Sequence, residues 1–141
     1  MTARCFVDTN VLVYAHDTSA GQKREVAAAL TERLWHDASA CVSVQVLQEL
    51  YVTLQRKVRS IAPSTARELV SLYGRWRTFR PTEADVLAAI DLHQEHRLSF
   101  WDAMIVISAA RLGCDSIYSE DLNAGQLIHG VEVIDPFSAG A

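Results

Sequence analysis

The sequence predicts an α/β fold with a central, mostly parallel sheet of four or five short strands flanked by helices. Three observations carry this expectation. Short apolar runs alternate with longer segments of helical periodicity. Those runs are apolar enough to be covered on both faces, as in parallel sheets. The early runs end at polar turn or cap residues, which topology should gather at one sheet edge.

The first strand is Cys5-Phe6-Val7, ending at Asp8, with a helix starting near Val11. The next helix has Lys23 and Arg24 near its start and a stripe of Val26, Ala27, Leu30 and Leu34. A second strand falls at Ala40 to Ser43. Leu47, Leu50, Tyr51, Leu54 and Val58 then recur at helical spacing, with Glu49 off that stripe and facing solvent or a cleft. Pro63 suits the first turn of a further helix, which Gly74 weakens at its end. Arg77 to Arg80 can form a short strand, and Thr82 to Asp85 has capping-box spacing before a helix to about His96. Ser99 to Asp102 repeats that spacing. Ala103 to Leu112 is apolar nearly all round and should be buried until Gly113 ends it. Ser116 to Ser119 and Val131 to Ile134 complete the strands. Without a linker, low-complexity tract or repeat, residues 1–141 are expected to form one domain.

Composition narrows the function classes. Half of the 141 residues are hydrophobic and 21% are charged, which excludes a disordered tail, a collagen-like fibre and a repeat array. Apolar runs fall short of a membrane span, and Met1 to Ala20 lacks the apolar core of a signal peptide, so a cytoplasmic location is expected. Cys5, Cys41 and Cys114 are odd in number and far apart, and suit small buried hydrophobes better than a disulfide framework or zinc site. The net charge of −4 argues against a nucleic-acid partner until its distribution is considered. Between Arg56 and Arg80 lie seven basic residues against Glu68 alone, either solvated helix faces or a surface that tracks phosphates.

Asp8, Glu49, Asp102 and Asp121 each have a simple structural reading. Asp8 can cap a helix, Asp102 can complete a box with Ser99, Asp121 can cap a turn, and Glu49 can be solvated. Placed around one cleft, however, four carboxylates repel, and either protonation or a divalent cation relieves them. Hard oxygen donors without adjacent Cys or His select Mg²⁺ or Mn²⁺ over zinc. His93 and His96 are three apart but lack an evident third ligand, and read better as a surface pair.

Phe6-Val7-Asp8-Thr9-Asn10-Val11-Leu12, Val46-Leu47-Gln48-Glu49-Leu50-Tyr51, Ser99-Phe100-Trp101-Asp102-Ala103 and Tyr118-Ser119-Glu120-Asp121-Leu122 resemble, in order and spacing, the motifs of PIN-domain ribonucleases. The likeness runs from Phe6 to Phe137 and is nearest to the VapC-like toxins of toxin-antitoxin pairs; Asp135-Pro136-Phe137 departs from the family's usual Asn-Pro-Phe. It implies a three-layer PIN domain and a Mg²⁺- or Mn²⁺-dependent endoribonuclease that uses a metal-activated water and leaves 5′-phosphate and 3′-hydroxyl ends. Asp8, Glu49, Asp102 and Asp121 match the acidic quartet, with Asp8 and Asp102 the firmest ligands. Thr9, Asn10 and Ser119 match supporting positions, and Glu120 is a rival for the fourth acid. The resemblance also implies an RNA substrate, a cognate antitoxin and a homodimer. Two alternatives are a catalytically idle module that binds RNA or protein, and a receiver-like phosphoryl-accepting domain. The second lacks a paired acid beside Asp8 and a lysine after a late strand.

Overall fold

A computed structural model describes residues 3–138. Its elements, in order, are β1 (Cys5–Val7), α1 (Thr9–His16), α2 (Gln22–Asp37), β2 (Ala40–Ser43), α3 (Val44–Lys57), α4 (Pro63–Tyr73), β3 (Arg77–Phe79), α5 (Glu83–His96), α6 (Phe100–Arg111), β4 (Ser116–Tyr118), β5 (Leu127–Ile128) and β6 (Val131–Ile134). The sheet order is β3-β2-β1-β4-β6-β5, with every neighbouring pair parallel except β5 and β6. The α/β expectation holds, but the described sheet has six strands rather than four or five.

The additional strand is β5. Ile128 pairs with Val131 around His129 and Gly130, whose φ angles of 51° and 78° make the two-residue turn that matches strand twist. A two-residue strand is too short to show alternation. The legible signal was the His-Gly pair between apolar residues, a weaker relative of Asn-Gly.

Successive strands run outward from β1 to β2 to β3, and the chain then returns to β4 on the other side of β1. With the right-handed hand that parallel connections adopt, α2, α3 and α4 cover one face and α5 and α6 the opposite one. The strand order reverses between β1 and β4, and such a switch point opens a crevice beyond the strands' C-terminal ends. Asp8 follows β1 and Ser119 follows β4, so local sequence and topology put both at this crevice.

Packing fixes that geometry. Phe6 and Ile117 in adjacent strands, Leu12 and Leu50 in helices of one face, and Ile105 in α6 are all at most 2% exposed. Residues Ala103 to Ala109 are buried throughout, as the all-apolar α6 requires. Cys41 and Cys114 are buried, Cys5 is partly buried, and all three thiols are free. Among the described residues no helix is long and apolar enough to cross a membrane.

Candidate acidic site

Asp8 is both a helix cap and a member of a buried polar network. Its Oδ1 accepts the Thr9 N–H at 2.8 Å, which leaves Oδ2 to accept the Ser119 hydroxyl at 2.8 Å. The same Ser119 Oγ accepts the Asp121 backbone N–H at 3.1 Å. Asn10, in the first turn of α1, donates through Nδ2 to Asp121 Oδ2 at 3.1 Å, while its Oδ1 accepts the Glu120 N–H at 3.1 Å. Thus Asp8, Asn10, Ser119 and Asp121 form one hydrogen-bonded unit across the β1–β4 crevice.

Glu49 and Asp102 approach from α3 and α6. Glu49 Oε1 accepts from Gln45 Nε2 at 2.8 Å, and that amide also donates to the Trp101 carbonyl at 3.2 Å. Gln45 therefore ties α3 to the first turn of α6 and directs Glu49 toward the neighbouring acids. Ser43 Oγ caps α3 by accepting the Val46 N–H at 3.2 Å, and Ser99 Oγ caps α6 by accepting the Asp102 N–H at 3.0 Å.

The carboxylates act on one another. Burial pushes the Asp8 carboxyl up to about 6, against the lowering hydrogen bonds from Ser119 and Thr9, and the charges of Glu49 and Asp121 add to the rise. Burial also raises Glu49, opposed by Gln45 and reinforced by Asp102 and Asp121. Asp102 is raised by burial and by Asp121, against the Ser99 hydroxyl. All four acids thus belong to one electrostatic neighbourhood.

Glu120 differs from its neighbour. Its Oε1 accepts the Tyr14 hydroxyl at 2.7 Å, and Oε2 is paired with Lys23. Although burial acts upward, the Lys23 and Tyr14 hydrogen bonds and the lysine charge hold the carboxyl below its ordinary value. Lys23 also lies over the rings of Tyr14 and Phe137, at 5.0 and 5.7 Å. Glu120 is consequently neutralised, whereas Asp121 joins the Asp8 unit.

An open cavity of about 410 Å³ is lined by Thr9, Asn10, Glu49, Asp121, Arg56 and Lys57, among others. Thr9 Oγ1 is buried without a hydrogen-bond partner among the described residues. Among the described residues, no three Asp, Glu, His or Cys side chains are close enough to cage a metal ion. The donor chemistry nevertheless fits a Mg²⁺-type ion, which uses few direct carboxylates and keeps several waters. The raised carboxyls of Asp8, Glu49 and Asp102 and the Thr9 hydroxyl, unpartnered among the described residues, are what such a hydrated cation would satisfy.

The fold also places the basic stretch and aromatic residues that the sequence left open. The basic stretch is not one surface: Arg56 and Lys57 line the acidic cavity, Arg67 borders an apolar groove with Val44, Leu47 and Tyr51, and Arg75 and Arg77 lie at the opposite end of the sheet. Tyr73 and Trp76 are core residues, 2% and 7% exposed. His93 Nδ1 is engaged with the Leu98 carbonyl. Conversely, Gln45, Tyr14 and Lys23 were not singled out. Gln45 had a signal in its four-residue spacing to Glu49 on a helix. Lys23 had none, because its partner is 97 residues away.

The sequence profile of the PIN domain matches residues 5–127. No curated protein matches the chain. Among solved structures, the fold is similar to VapC20 of Mycobacterium tuberculosis, a sarcin-ricin loop cleaving toxin, at 20% identity and TM-score 0.66, covering 83% of this chain and 89% of that one. It is also similar to a toxin-antitoxin complex from Klebsiella pneumoniae at 17% identity and TM-score 0.71, covering 98% of this chain and all of that one, 100%. The switch-point crevice and its acids therefore sit in a chain that belongs to the PIN domain family.

Proposed function

We propose that the chain is a Mg²⁺- or Mn²⁺-dependent endoribonuclease, the toxin of a toxin-antitoxin pair. The observation that carries this reading is the gathering of Asp8, Glu49, Asp102 and Asp121 in one electrostatic neighbourhood at the β1–β4 crevice. Family membership and the two toxin-related folds support it.

In this reading Asp8 and Asp102 are the principal ligands of the cation, completed by Glu49 and Asp121. A bound divalent cation supplies Lewis-acid polarisation of the scissile phosphate and activation of a water. Asn10 and Ser119 hold Asp8 and Asp121 in fixed orientations through the hydrogen bonds above, and Gln45 does the same for Glu49. Arg56 and Lys57, on the same cavity wall, would receive neighbouring backbone phosphates. The acids themselves repel RNA, so metal loading and this basic margin together admit the substrate. An antitoxin placing an Arg or Lys in the cleft would inhibit by competing with the cation. The apolar groove along α3, where Tyr51 and Val52 are 41% and 56% exposed, supports a protein contact, either the antitoxin or a second copy in a homodimer.

The test is RNA cleavage by purified protein with Mg²⁺, Mn²⁺ or EDTA, beside Asp8→Asn. Cleavage only with divalent metal and only by the wild type is the expected result. Equal cleavage by both proteins would remove the proposed site, and metal-responsive melting without cleavage of any RNA would favour the idle binding module.

A further inference from the structure

The end of the sheet opposite the acids carries a second, differently built cavity. Arg4 immediately precedes β1, Arg75 lies in the turn before β3, and Arg77 opens β3. Together with Ser39, Trp35 and Trp76 they line a space of about 280 Å³ at the N-terminal ends of β1, β2 and β3. None of the three guanidinium groups is in an ion pair among the described residues. Arg4 donates through Nη1 to the Leu112 carbonyl at 2.9 Å, and its backbone N–H donates to Asp115 at 3.2 Å. Asp115 lines the adjoining recess with Arg4 and Arg77, and one acid leaves the cluster with excess positive charge.

Trp76 is 7% exposed, and its Nε1 is buried with no acceptor among the described residues. Buried indole N–H groups ordinarily find partners, so this one is an unmet donor within a ring that helps line the cavity. Trp35, with ring centroid 5.1 Å from that of Trp76, is 36% exposed and offers a ring edge or face to the opening. The positive field reaches the wall as well. The Cys41 thiol is held below its ordinary value first by its hydrogen bond with Cys114 and then by Arg77 and Arg4.

We infer that this cavity binds a nucleotide, its phosphate held by Arg4, Arg75 and Arg77 and its base set against the Trp35–Trp76 pair. Guanidinium forks match phosphate oxygens, and aromatic rings accept any base face. The volume accommodates one nucleotide unit rather than a duplex. The site lies at the other end of the strands from the acids, and it does not depend on the proposed ribonuclease activity.

The indole N–H signals of the three tryptophans report directly on this site, and work in EDTA keeps any RNA intact. With signals assigned by Trp→Phe substitution, adenosine 5′-monophosphate should shift Trp76 and Trp35 saturably and leave Trp101 in place. Adenosine and inorganic phosphate should each bind at least about tenfold more weakly, as should the monophosphate to Arg75→Gln or Arg77→Gln. Both arginines are exposed, so these variants should fold. Asp8→Asn should bind like the wild type. A single-stranded pentanucleotide that displaces the monophosphate identifies an RNA chain as the source; one that does not identifies free nucleotide. No saturable shift at millimolar monophosphate, an unchanged response in Arg77→Gln, or movement of Trp101 alone would overturn the inference.

Discussion

At the start of α5, Thr82 and Asp85 close a reciprocal box: the Asp85 Oδ2 accepts the Thr82 N–H at 2.8 Å, and Arg111 Nε donates to its Oδ1 at 3.0 Å. At the start of α6 the same four-residue spacing joins Ser99 to Asp102, yet only half the box forms. Ser99 accepts the Asp102 N–H, and no hydrogen bond returns from the Ser99 N–H to the Asp102 carboxylate. The consequences are opposite in sign. The Thr82 N–H, with Arg111, holds the Asp85 carboxyl below its ordinary value, whereas burial and Asp121 raise that of Asp102. A capping motif specifies where a helix begins, but tertiary placement decides whether its acid is spent on the cap or left available in a crevice.

The largest separation between the two acids should appear in RNA cleavage. Asp102→Asn is expected to lower the cleavage rate at least about 100-fold, by analogy with loss of one preorganised charge-stabilising group. Asp85→Asn should leave the rate within about twofold, since it lies outside the crevice. The two variants, assayed side by side with Mg²⁺ at matched folded fractions, check this. Comparable losses in both would mean that the acids differ in stability role only.

The second effect is on the stability of the metal-free protein. The native Asp8 carboxyl sits at about 6 against an ordinary 3.8, so the folded state holds its proton more tightly than the unfolded chain. Stability in EDTA therefore falls as pH rises through that interval, and it stays reduced above it. The gap corresponds to roughly 3 kcal/mol as an upper bound. Asp8→Asn should accordingly be more stable than wild type at pH near 8 by up to about 3 kcal/mol, with the difference vanishing near pH 4. Urea unfolding across that range, with EDTA present, measures it. Millimolar Mg²⁺ should stabilise wild type and not the variant, because only the native state binds the ion. Equal stability of the two proteins at pH 8 without metal would show that Asp8 is not electrostatically stressed.

The helices that carry these two acids were legible in the sequence; the contrast between the acids was not. Cap residues, apolar stripes and Pro63 delimited the helices because each acts within four residues of itself, and β2 and β6 were bounded by the same local logic. The family motifs singled out Asp8, Glu49, Asp102 and Asp121. What remained hidden was long-range. Spacing alone made Asp85 and Asp102 equivalent, since Arg111 is 26 residues from the first and the crevice is assembled from four separated segments. The division of Glu120 from Asp121 depended on Lys23, and the dispersal of the Arg56 to Arg80 charges depended on which sheet end each turn reached. Local chemistry in sequence is readable wherever the partner is also local.

A smaller effect tests the cap itself. Asp85→Ala should destabilise by about 1–2 kcal/mol, mostly through loss of a reciprocal cap. Ser99→Ala should cost about 1 kcal/mol, because its box is only half formed. Chemical denaturation of both variants in EDTA gives the comparison. A greater loss for Ser99→Ala would indicate that the α6 terminus depends on interactions beyond its hydroxyl cap.

The smallest effect is expected from Arg111→Gln. This removes the ion pair between the last turn of α6 and the first turn of α5, but half of the Arg111 side chain is in solvent, 52% by accessibility, so the loss should be no more than about 0.5 kcal/mol. The informative readout is the titration of the Asp85 carboxyl by carbon NMR. Because the Thr82 backbone N–H is the leading cause of its lowering, Asp85 should still titrate below its ordinary value of 3.8 in the variant. Stability that depends on the ionised carboxylate would then still be present above that value and lost as pH falls through the native one. A return to the ordinary value would transfer the lowering from the cap to Arg111. The contrast with Asp102 would then reflect which acid has a cation near it, rather than which has closed its box.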